Sequence, residues 1–367
     1  MKFTCSRQAL SEAIGSVSRA VSQKSSIAAL EGIKVSVAPG AVTLTGYNLE
    51  IGITTTIDAN TSDTGDFVVS TRLFSEFTRR MTSEEVSFEI DDSHIINLSS
   101  GSTECSFSAI SAEEYPDLPE VDSLRSFTVK AALLKSMINM TSYAASMNES
   151  KPILTGELFD IEDGKFNLVA IDGFRLAIRC ELAESNDSFH FVVPKKALQE
   201  VSTLIKDDED MECMICINDR HIIFQVGRVY VISRLLEGPF HNYKLSIPSG
   251  YKTEVIVSKK ELAACLDRCS LIIDEKNKAP LRCEVGNGVI KIECKTGIGK
   301  VNDAIPADIA GETVTIGFNN KLMFEAIRAA EGDRVRIRFN GAMKVIEILP
   351  PEGESYIFLV MPIQLKN

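Results

Sequence analysis

The stretch KFTCSRQALSEAIGSVSRAV, from Lys2 to Val21, decides the fold because the chain repeats its pattern twice. SFTVKAALLKSMINMTSYAA begins at Ser126, and EVIVSKKELAACLDRCSLII begins at Glu254. Each copy predicts a short alternating strand and then a helix with apolar residues at i, i+4, i+7 and i+11. The three predicted stripes are Leu10, Ile14, Val17 and Val21; Leu134, Ile138, Thr141 and Ala145; and Leu262, Leu266, Cys269 and Ile273.

A second pattern, strand–helix–acidic turn–strand, also occurs three times. Its copies are DFVVSTRLFSEFTRRMTSEEVSFEI, HFVVPKKALQEVSTLIKDDEDMECMICI and TVTIGFNNKLMFEAIRAAEGDRVRIRF. Phe3 and Phe127 are 124 residues apart, and so are Phe67 and Phe191. Two markers displaced by one interval indicate an internal repeat. We therefore predict an α+β fold of three tandem similar domains, each with two helices packed on antiparallel sheets. The predicted domains are residues 1–124, 125–249 and 250–367.

The composition is that of an ordinary globular protein. Apolar residues make up 44% of the 367 residues and charged residues 25%, which excludes wholesale disorder. No run approaches the ~18 apolar residues that a membrane span requires. The first residues contain no continuous apolar segment of a secretion signal, so we expect a cytoplasmic protein without a membrane partner. Nine cysteines without regular spacing are typical of reduced thiols.

Sequence motifs give little support for an enzyme or a metal site. Cys213 and Cys216 form a CxxC, but no second pair follows at zinc-site spacing, and strand cysteines are the better interpretation. KTGIGKVN lacks the residues of a phosphate-binding loop, and the acidic run Lys206–Glu212 lacks calcium-loop spacing. No serine or cysteine partner lies at a known catalytic spacing from any histidine. The histidines are His94, His190, His221 and His241. We predict a non-enzyme with no metal and no cofactor.

Positive charge is concentrated in the predicted helices, although the whole chain has a net charge of −12. The helical segments hold 16 of the 39 basic residues but only 6 of the 51 acidic ones. These segments are residues 6–24, 70–82, 130–146, 194–206, 258–273 and 318–330. If they share one surface, an acidic protein presents a basic face to a polyanion, and phosphate contacts of this kind need no base readout. A repeat scaffold that binds only acidic proteins remains an alternative, which the salt dependence of binding would distinguish.

The stretch NLVAIDGFRLAIRCEL, Asn167 to Leu182, predicts a hairpin. Asp172 and Gly173 lie between two apolar runs, and glycine supplies the positive φ that a tight turn needs. Taken alone, this stretch indicates only a turn.

Several motifs in order along the chain resemble the bacterial DNA polymerase III beta subunit family, the sliding clamps. They are MKFT, LTGYNLEIGI, FVVSTRLFSEF, PILTGELFDIE, AIDGFRLAI, VVPKKALQEV, LLEGPFHNYKLSIP, TIGFNN and YIFLVMPI. The resemblance covers the whole chain. It implies a head-to-tail homodimer whose six domains close a ring around double-stranded DNA, with helices lining the hole. It also implies a non-catalytic processivity factor that tethers a polymerase during DNA replication.

The resemblance further implies a hydrophobic pocket between the second and third domains that binds short Gln- and Leu-containing peptides. Its partners would be the polymerase III catalytic subunit, the clamp loader and other replication and repair proteins. The pocket residues carried over are Leu154, Thr155, Ile171, Gly173, Phe174, Arg175, Leu176, His241, Leu245, Asn319, Met343, Val360, Met361, Pro362 and Ile363. From the residues alone, Leu176 and Val360 read as core residues, and only the resemblance assigns them to the pocket. Phe174 stands where some members have histidine, so we expect an altered peptide preference.

Residues that contact DNA and residues that join the two chains are also carried over from the family. The DNA-facing set is Lys24, Arg72, Arg79, Lys151, Lys195 and Lys196, with contacts independent of base sequence. The dimer interface would join Phe107 to Leu271 and Ile272 of the second copy. The resemblance implies a nucleoid-associated protein during replication.

Overall fold

The computed structural model describes residues 1–91, 93–122, 125–183, 188–206, 210–273 and 279–365. Within these ranges the chain forms six α-helices and 26 strands in a threefold repeated order. Paired strands are antiparallel in each sheet, as predicted. Three helices begin at side chains that accept a backbone N–H: Ser6, Ser258 and Asn319. Such caps satisfy amides that the helix itself leaves without a partner.

The first repeat contains nine strands and two helices. They are β1 (Lys2–Ser6), α1 (Arg7–Val17), β2 (Gly32–Ala38), β3 (Ala41–Tyr47), β4 (Ile51–Asp58), β5 (Asn60–Thr61), β6 (Gly65–Ser70), α2 (Thr71–Arg80), β7 (Glu85–Ile90), β8 (Ile95–Ser100) and β9 (Thr103–Ser108). The first helix is shorter than predicted, because it ends at Val17 and continues as a 3-10 turn over Ser18–Ala20.

The second repeat contains eight strands and two helices. They are β10 (Arg125–Lys130), α3 (Ala131–Thr141), β11 (Gly156–Glu162), β12 (Lys165–Ile171), β13 (Arg175–Leu182), β14 (Phe189–Pro194), α4 (Lys195–Leu204), β15 (Glu212–Ile217), β16 (His221–Val226) and β17 (Val229–Arg234). Short 3-10 turns cover Ser142–Ala144, Pro152–Thr155 and Tyr243–Ser246. Both cysteines of the CxxC lie on β15, where Cys213 is buried and Cys216 is partly exposed.

The third repeat contains nine strands and two helices. They are β18 (Thr253–Ser258), α5 (Lys259–Ser270), β19 (Leu281–Gly286), β20 (Val289–Lys295), β21 (Lys300–Gly311), β22 (Val314–Phe318), α6 (Asn320–Ala329), β23 (Arg334–Phe339), β24 (Ile346–Leu349), β25 (Tyr356–Val360) and β26 (Pro362–Ile363).

The apolar stripes read from the sequence are confirmed as the buried faces of the helices up to the helix ends. Val21, Ala145 and Ile273 lie beyond α1, α3 and α5, and Val21 and Ile273 are partly exposed. Leu10, Ile14 and Val17 of α1 are buried, as are Leu262 and Leu266 of α5. Their alignment on one side of each helix follows from the 3.6-residue period. None of the described helices is both long and apolar enough to cross a membrane.

The chain divides into two compact units that do not follow the repeat boundaries. Unit one comprises Met1–Lys135 and Lys196–Leu235, and unit two comprises Ser136–Lys195 and Leu236–Asn367. The second repeat therefore contributes strands to both units. The cause is strand pairing between repeats, because β17 pairs with β4 and β13 pairs with β25. The domain boundaries near residues 124 and 249 stay a prediction.

Unit one contains a five-stranded sheet, in the order β5-β1-β7-β8-β9, and an eight-stranded sheet, β10-β15-β16-β17-β4-β3-β2-β6. In unit two, 13 strands follow the order β14-β11-β12-β13-β25-β24-β23-β18-β21-β20-β19-β22-β26. Successive residues of a strand point to opposite faces of its sheet. Ala177 accordingly joins the large core that includes α5 and α6, whereas Leu176 and Ile178 join a separate apolar cluster on the other face. The candidate site lies against this second cluster.

Candidate functional site

The turn between β12 and β13 is organised by the side chain of Asp172. Its Oδ1 accepts hydrogen bonds from the backbone N–H groups of Phe174 and Arg175, at 2.9 and 3.1 Å. Gly173 has a φ of +91°, which a residue with a side chain adopts only with strain. The predicted hairpin is therefore confirmed, and it leaves Phe174 exposed at its tip.

Arg175 connects this turn to α6. Its Nε donates to Asp172 Oδ2 at 2.9 Å, and its Nη1 donates to Glu325 on α6. The guanidinium also lies over the ring of Tyr143, 5.1 Å from the centroid. Only 9% of the Arg175 side chain is exposed, so two carboxylates and an aromatic face compensate for its desolvation. The cationic side chain thus fixes the hairpin in place.

A cavity of about 730 Å³ lies beside this hairpin, within unit two. Seven of the predicted pocket residues line it: Leu154, Ile171, Gly173, Arg175, Leu176, His241 and Met361. Lys151 lines it as well, although the resemblance implied that this residue contacts DNA. The walls are mainly apolar with a few polar groups, an arrangement suited to a small ligand or a short peptide.

Eight other residues of the predicted pocket do not line the cavity. They are Thr155, Phe174, Leu245, Asn319, Met343, Val360, Pro362 and Ile363. Phe174, Leu245 and Met343 are exposed. Thr155 donates its hydroxyl to the carbonyl of Pro152, and Pro362 pairs with Phe318 in the β26–β22 ladder. Asn319 caps α6 by accepting the N–H of Leu322, so its position in the sequence has a structural explanation.

Strand register explains why Val360 does not line the cavity. β13 and β25 pair so that Leu176 lies opposite Leu359, and Arg175 lies opposite Val360. Leu359 therefore shares the cavity face with Leu176, while Val360 is fully buried in the core on the other face. Met361 returns to the cavity face, and its N–H donates to the carbonyl of Phe174 at 2.9 Å.

Six residues that the sequence did not predict also line the cavity: Ile153, Pro239, Phe240, Ser246, Val345 and Leu359. Pro239, Phe240 and Ser246 belong to the segment 239–246, which also contains His241 and forms one wall of the cavity. The spacing of Leu359 and Met361, two residues apart in an extended segment, was the signal that could have identified Leu359.

The predicted DNA-facing residues differ in their surroundings. Lys24, Arg72, Arg79 and Lys196 are exposed, and Arg79 Nη2 donates to Glu76 at 2.6 Å. Lys195 is half-buried. Desolvation lowers its pKa, and the neighbouring Glu157 carboxylate only partly opposes this shift. Burial raises the pKa of Glu157 to about 7, although the hydroxyls of Thr141 and Ser142 donate to its carboxylate.

The residues predicted to join two chains lie at different elements. Phe107 lies on β9 and stacks on Phe77 of α2, with ring centroids 5.6 Å apart, so its ring is buried within the chain. Leu271 is exposed directly after α5, and Ile272 is partly exposed. Among the described strands, β9 pairs only with β8 and so forms one end of the five-stranded sheet.

Comparisons with known proteins extend over the whole chain. Models of the N-terminal, central and C-terminal domains of the DNA polymerase III beta subunit match residues 1–119, 128–242 and 244–364. The beta sliding clamp of Bacillus subtilis is 32% identical over 99% of this chain and its own full length. The crystal structure of the Bacillus subtilis DNA polymerase sliding clamp superposes with a TM-score of 0.95 and 31% identity, with both chains fully covered. A putative DNA polymerase III beta subunit from Eubacterium rectale has a TM-score of 0.94 and 30% identity, with 99% of each chain covered.

A threefold strand–helix repeat of this size, with an apolar cavity on a sheet face, places the protein in the class with the three-domain α+β sliding-clamp fold. Within that class, the chain belongs to the DNA polymerase III beta subunit family. Members of this family are non-catalytic accessory subunits of the polymerase.

Proposed function

We propose that the protein is a DNA sliding clamp, a homodimeric ring that encloses duplex DNA and tethers the replicative polymerase. The match of three consecutive beta-subunit domains along the full chain is the observation that carries this proposal. Tethering by enclosure requires weak contacts, since a ring that bound phosphates tightly could not slide. The protein would accordingly act in the cytoplasm, at the nucleoid during replication.

Exposed basic residues on the helices or close to their ends supply the proposed contacts to DNA. Lys24, Arg72 and Lys196 are solvent-exposed, and they can reach phosphates without reading bases. Arg79 shares the carboxylate of Glu76 with Arg80, which moderates the local positive charge. Lys195 is a weaker candidate because it is half-buried beside Glu157. Lys151, on the cavity wall, is a candidate for contact with a peptide partner instead.

Ring closure is proposed to use β9 and the region after α5 of a second copy. The outer edge of β9 exposes backbone groups for pairing with another chain. Leu271 supplies an exposed apolar side chain after α5, and Ile272 follows it. Because Phe107 already packs on Phe77, it would stabilise the position of β9 and not contact the second copy directly.

The cavity beside the Asp172–Gly173 turn is proposed to receive short peptides of the polymerase III catalytic subunit, the clamp loader and other replication and repair proteins. Leu176, Leu359 and Met361 give it an apolar wall, and Lys151, His241 and Ser246 place polar groups around it. Apolar anchors with a few polar contacts suit an extended peptide carrying leucine and glutamine.

Enclosure of DNA is tested by loading the protein onto a nicked circular plasmid with a clamp loader and then linearising the plasmid. We expect retention on the circle and loss from the linear form, because a ring slides off free ends. Equal retention on both forms would contradict enclosure. A second measurement without the loader follows association with DNA as salt is raised, where a steep decline is expected for phosphate contacts.

The peptide site is tested with Met361→Asp, since Met361 lines the cavity and is 48% exposed, so the change need not disturb the core. We expect the affinity for a fluorescent Gln- and Leu-containing peptide to fall at least tenfold, about 1.4 kcal/mol, because a carboxylate is poorly solvated there. Met214→Asp is the control, since Met214 is 40% exposed on β15 and does not line the cavity. Both variants should remain dimeric by light scattering. Unchanged peptide affinity in Met361→Asp would refute the assignment.

A further inference from the structure

Three potential metal ligands lie together at the edge of the sheet in unit two. Asp160 and Glu162 are two residues apart on β11 and so face the same side of the sheet. His190 on β14 lies directly opposite Asp160 in the ladder. One ligand atom from each of these three side chains lies within 4.8 Å of the other two. Neither the proposed DNA contacts nor the peptide cavity uses these side chains.

The buried carboxylate of Asp160 is incompletely satisfied. Its side chain is only 3% exposed, and its Oδ2 accepts a hydrogen bond from the hydroxyl of Tyr243. Its Oδ1 is buried and lies 2.6 Å from His190 Nδ1, with which it forms an ion pair when the imidazole is charged, and no described residue donates a hydrogen bond to Oδ1 otherwise. A buried carboxylate oxygen is costly unless a cation or a donor faces it. A positive charge beside Oδ1 is supplied either by the charged His190 ring or by a cation bound between these side chains.

At present the nearest ammonium group is that of Lys244. Its Nζ lies 2.7 Å from Glu162 Oε2 and 3.5 Å from Asp160 Oδ2. More than half of the Lys244 side chain is exposed, so it can leave towards solvent. Lys244 and Tyr243 both belong to the segment 239–246, which supplies one wall of the cavity.

We propose that Asp160, Glu162 and His190 form a binding site for a divalent cation of the zinc type, and that the cation displaces Lys244. Imidazole nitrogen and carboxylate oxygen are both ligands that zinc and cobalt accept, and water would complete the coordination. Ligand atoms about 2.1 Å from a tetrahedral ion are ~3.4 Å apart, so the His190 ring must withdraw slightly from Asp160. This movement is open to a side chain that is 51% exposed, and Glu162, which is 41% exposed, can adjust as well.

A metal site at this place was not expected from the sequence. The Asp-x-Glu spacing on β11 is visible in the sequence, but nothing local places His190 opposite Asp160. Because the ion and the ammonium repel each other, occupancy removes the ion pairs by which Lys244 holds the segment 239–246 against β11. The Tyr243–Asp160 hydrogen bond remains, so we expect local loosening of the wall and not its unfolding.

Cobalt is the probe for the test, because its visible absorption reports tetrahedral coordination and its near-ultraviolet bands report thiolate ligands. The full-length protein is titrated with Co²⁺ at pH 7.5, alongside His190→Ala and the control His221→Ala. His221 lies on β16, outside this cluster. We expect one site without thiolate bands in the unchanged protein and in His221→Ala, and at least tenfold weaker binding in His190→Ala. Equal binding by His190→Ala, or a thiolate band, would overturn the proposal.

Two further measurements address the displacement of Lys244. Lys244→Met removes the competing ammonium and should strengthen cobalt binding severalfold. Hydrogen exchange at the amides of residues 243–246 should accelerate when Zn²⁺ is added to the unchanged protein, but not when it is added to His190→Ala. Weaker binding in Lys244→Met, or unchanged exchange with the site filled, would show that the ion does not replace the lysine. None of these readouts depends on the proposed peptide binding or on DNA.

Discussion

Replacing Glu157 with glutamine should change how the stability of the protein depends on pH. Glu157 is the second residue of β11, and its carboxylate accepts hydrogen bonds from Thr141 and Ser142. These residues precede Tyr143, whose ring lies under Arg175. The side chain is fully buried, and desolvation raises its pKa from 4.5 to about 7. The folded protein therefore holds this proton more tightly than the unfolded chain does.

The sign of the effect follows from proton uptake. Between pH 4.5 and about 7, the folded state binds more protons at Glu157 than the unfolded state does, so the stability falls as the pH rises. One pKa unit corresponds to about 1.4 kcal/mol, so the full shift amounts to about 3 kcal/mol of the free energy of unfolding. The stability that protonated Glu157 contributes is fully present below pH 4.5 and is lost above about pH 7. Glu157→Gln has no ionisation at this position, so it should lack this pH dependence.

The measurement is urea unfolding of both proteins, followed by circular dichroism at pH 4.5, 6 and 8. The difference in free energy of unfolding, Glu157→Gln minus unchanged protein, should grow by about 3 kcal/mol in favour of glutamine from pH 4.5 to pH 8. Any cost of fitting the amide between Thr141 and Ser142 is constant and cancels from this change. Glu149→Gln, at an exposed position, is the control. A difference that stays constant across the pH range would refute the argument that Glu157 is protonated at its buried position.

Two other predictions test the geometry of the site. Val360→Ala should lower the free energy of unfolding by about 2 kcal/mol, because it removes buried methyl groups, yet it should leave peptide affinity within about twofold. Leu359→Ala should weaken peptide binding. If Val360→Ala weakened peptide binding more than Leu359→Ala did, the strand register would be misassigned. Asn319→Ala should cost about 1 kcal/mol through loss of the α6 cap, without changing peptide affinity. Urea unfolding and fluorescence anisotropy measure the two quantities, and loss of peptide binding in Asn319→Ala would restore this residue to the pocket.

Strand register decided which residues of the last strands reach the cavity. YIFLVMPI is a nearly continuous apolar run, so it has no alternation from which to read a face. The pairing of Leu176 with Leu359 placed Leu359 in the cavity and Val360 in the core. In the same way, the cavity wall 239–246 and the pairing of Asp160 with His190 depend on contacts between residues distant in sequence.

The amino-acid sequence by itself determined the threefold repeat, the buried stripe of each helix and the Asp172–Gly173 hairpin. These features depend on residues within one or two turns or strands of each other, and their periodicity records which side is buried. Tertiary structure alone decided that β17 joins β4 and β13 joins β25, so that the second repeat contributes to two compact units. Pairing between distant strand edges leaves no periodic signal within either strand, because backbone hydrogen bonds are the same for every residue except proline.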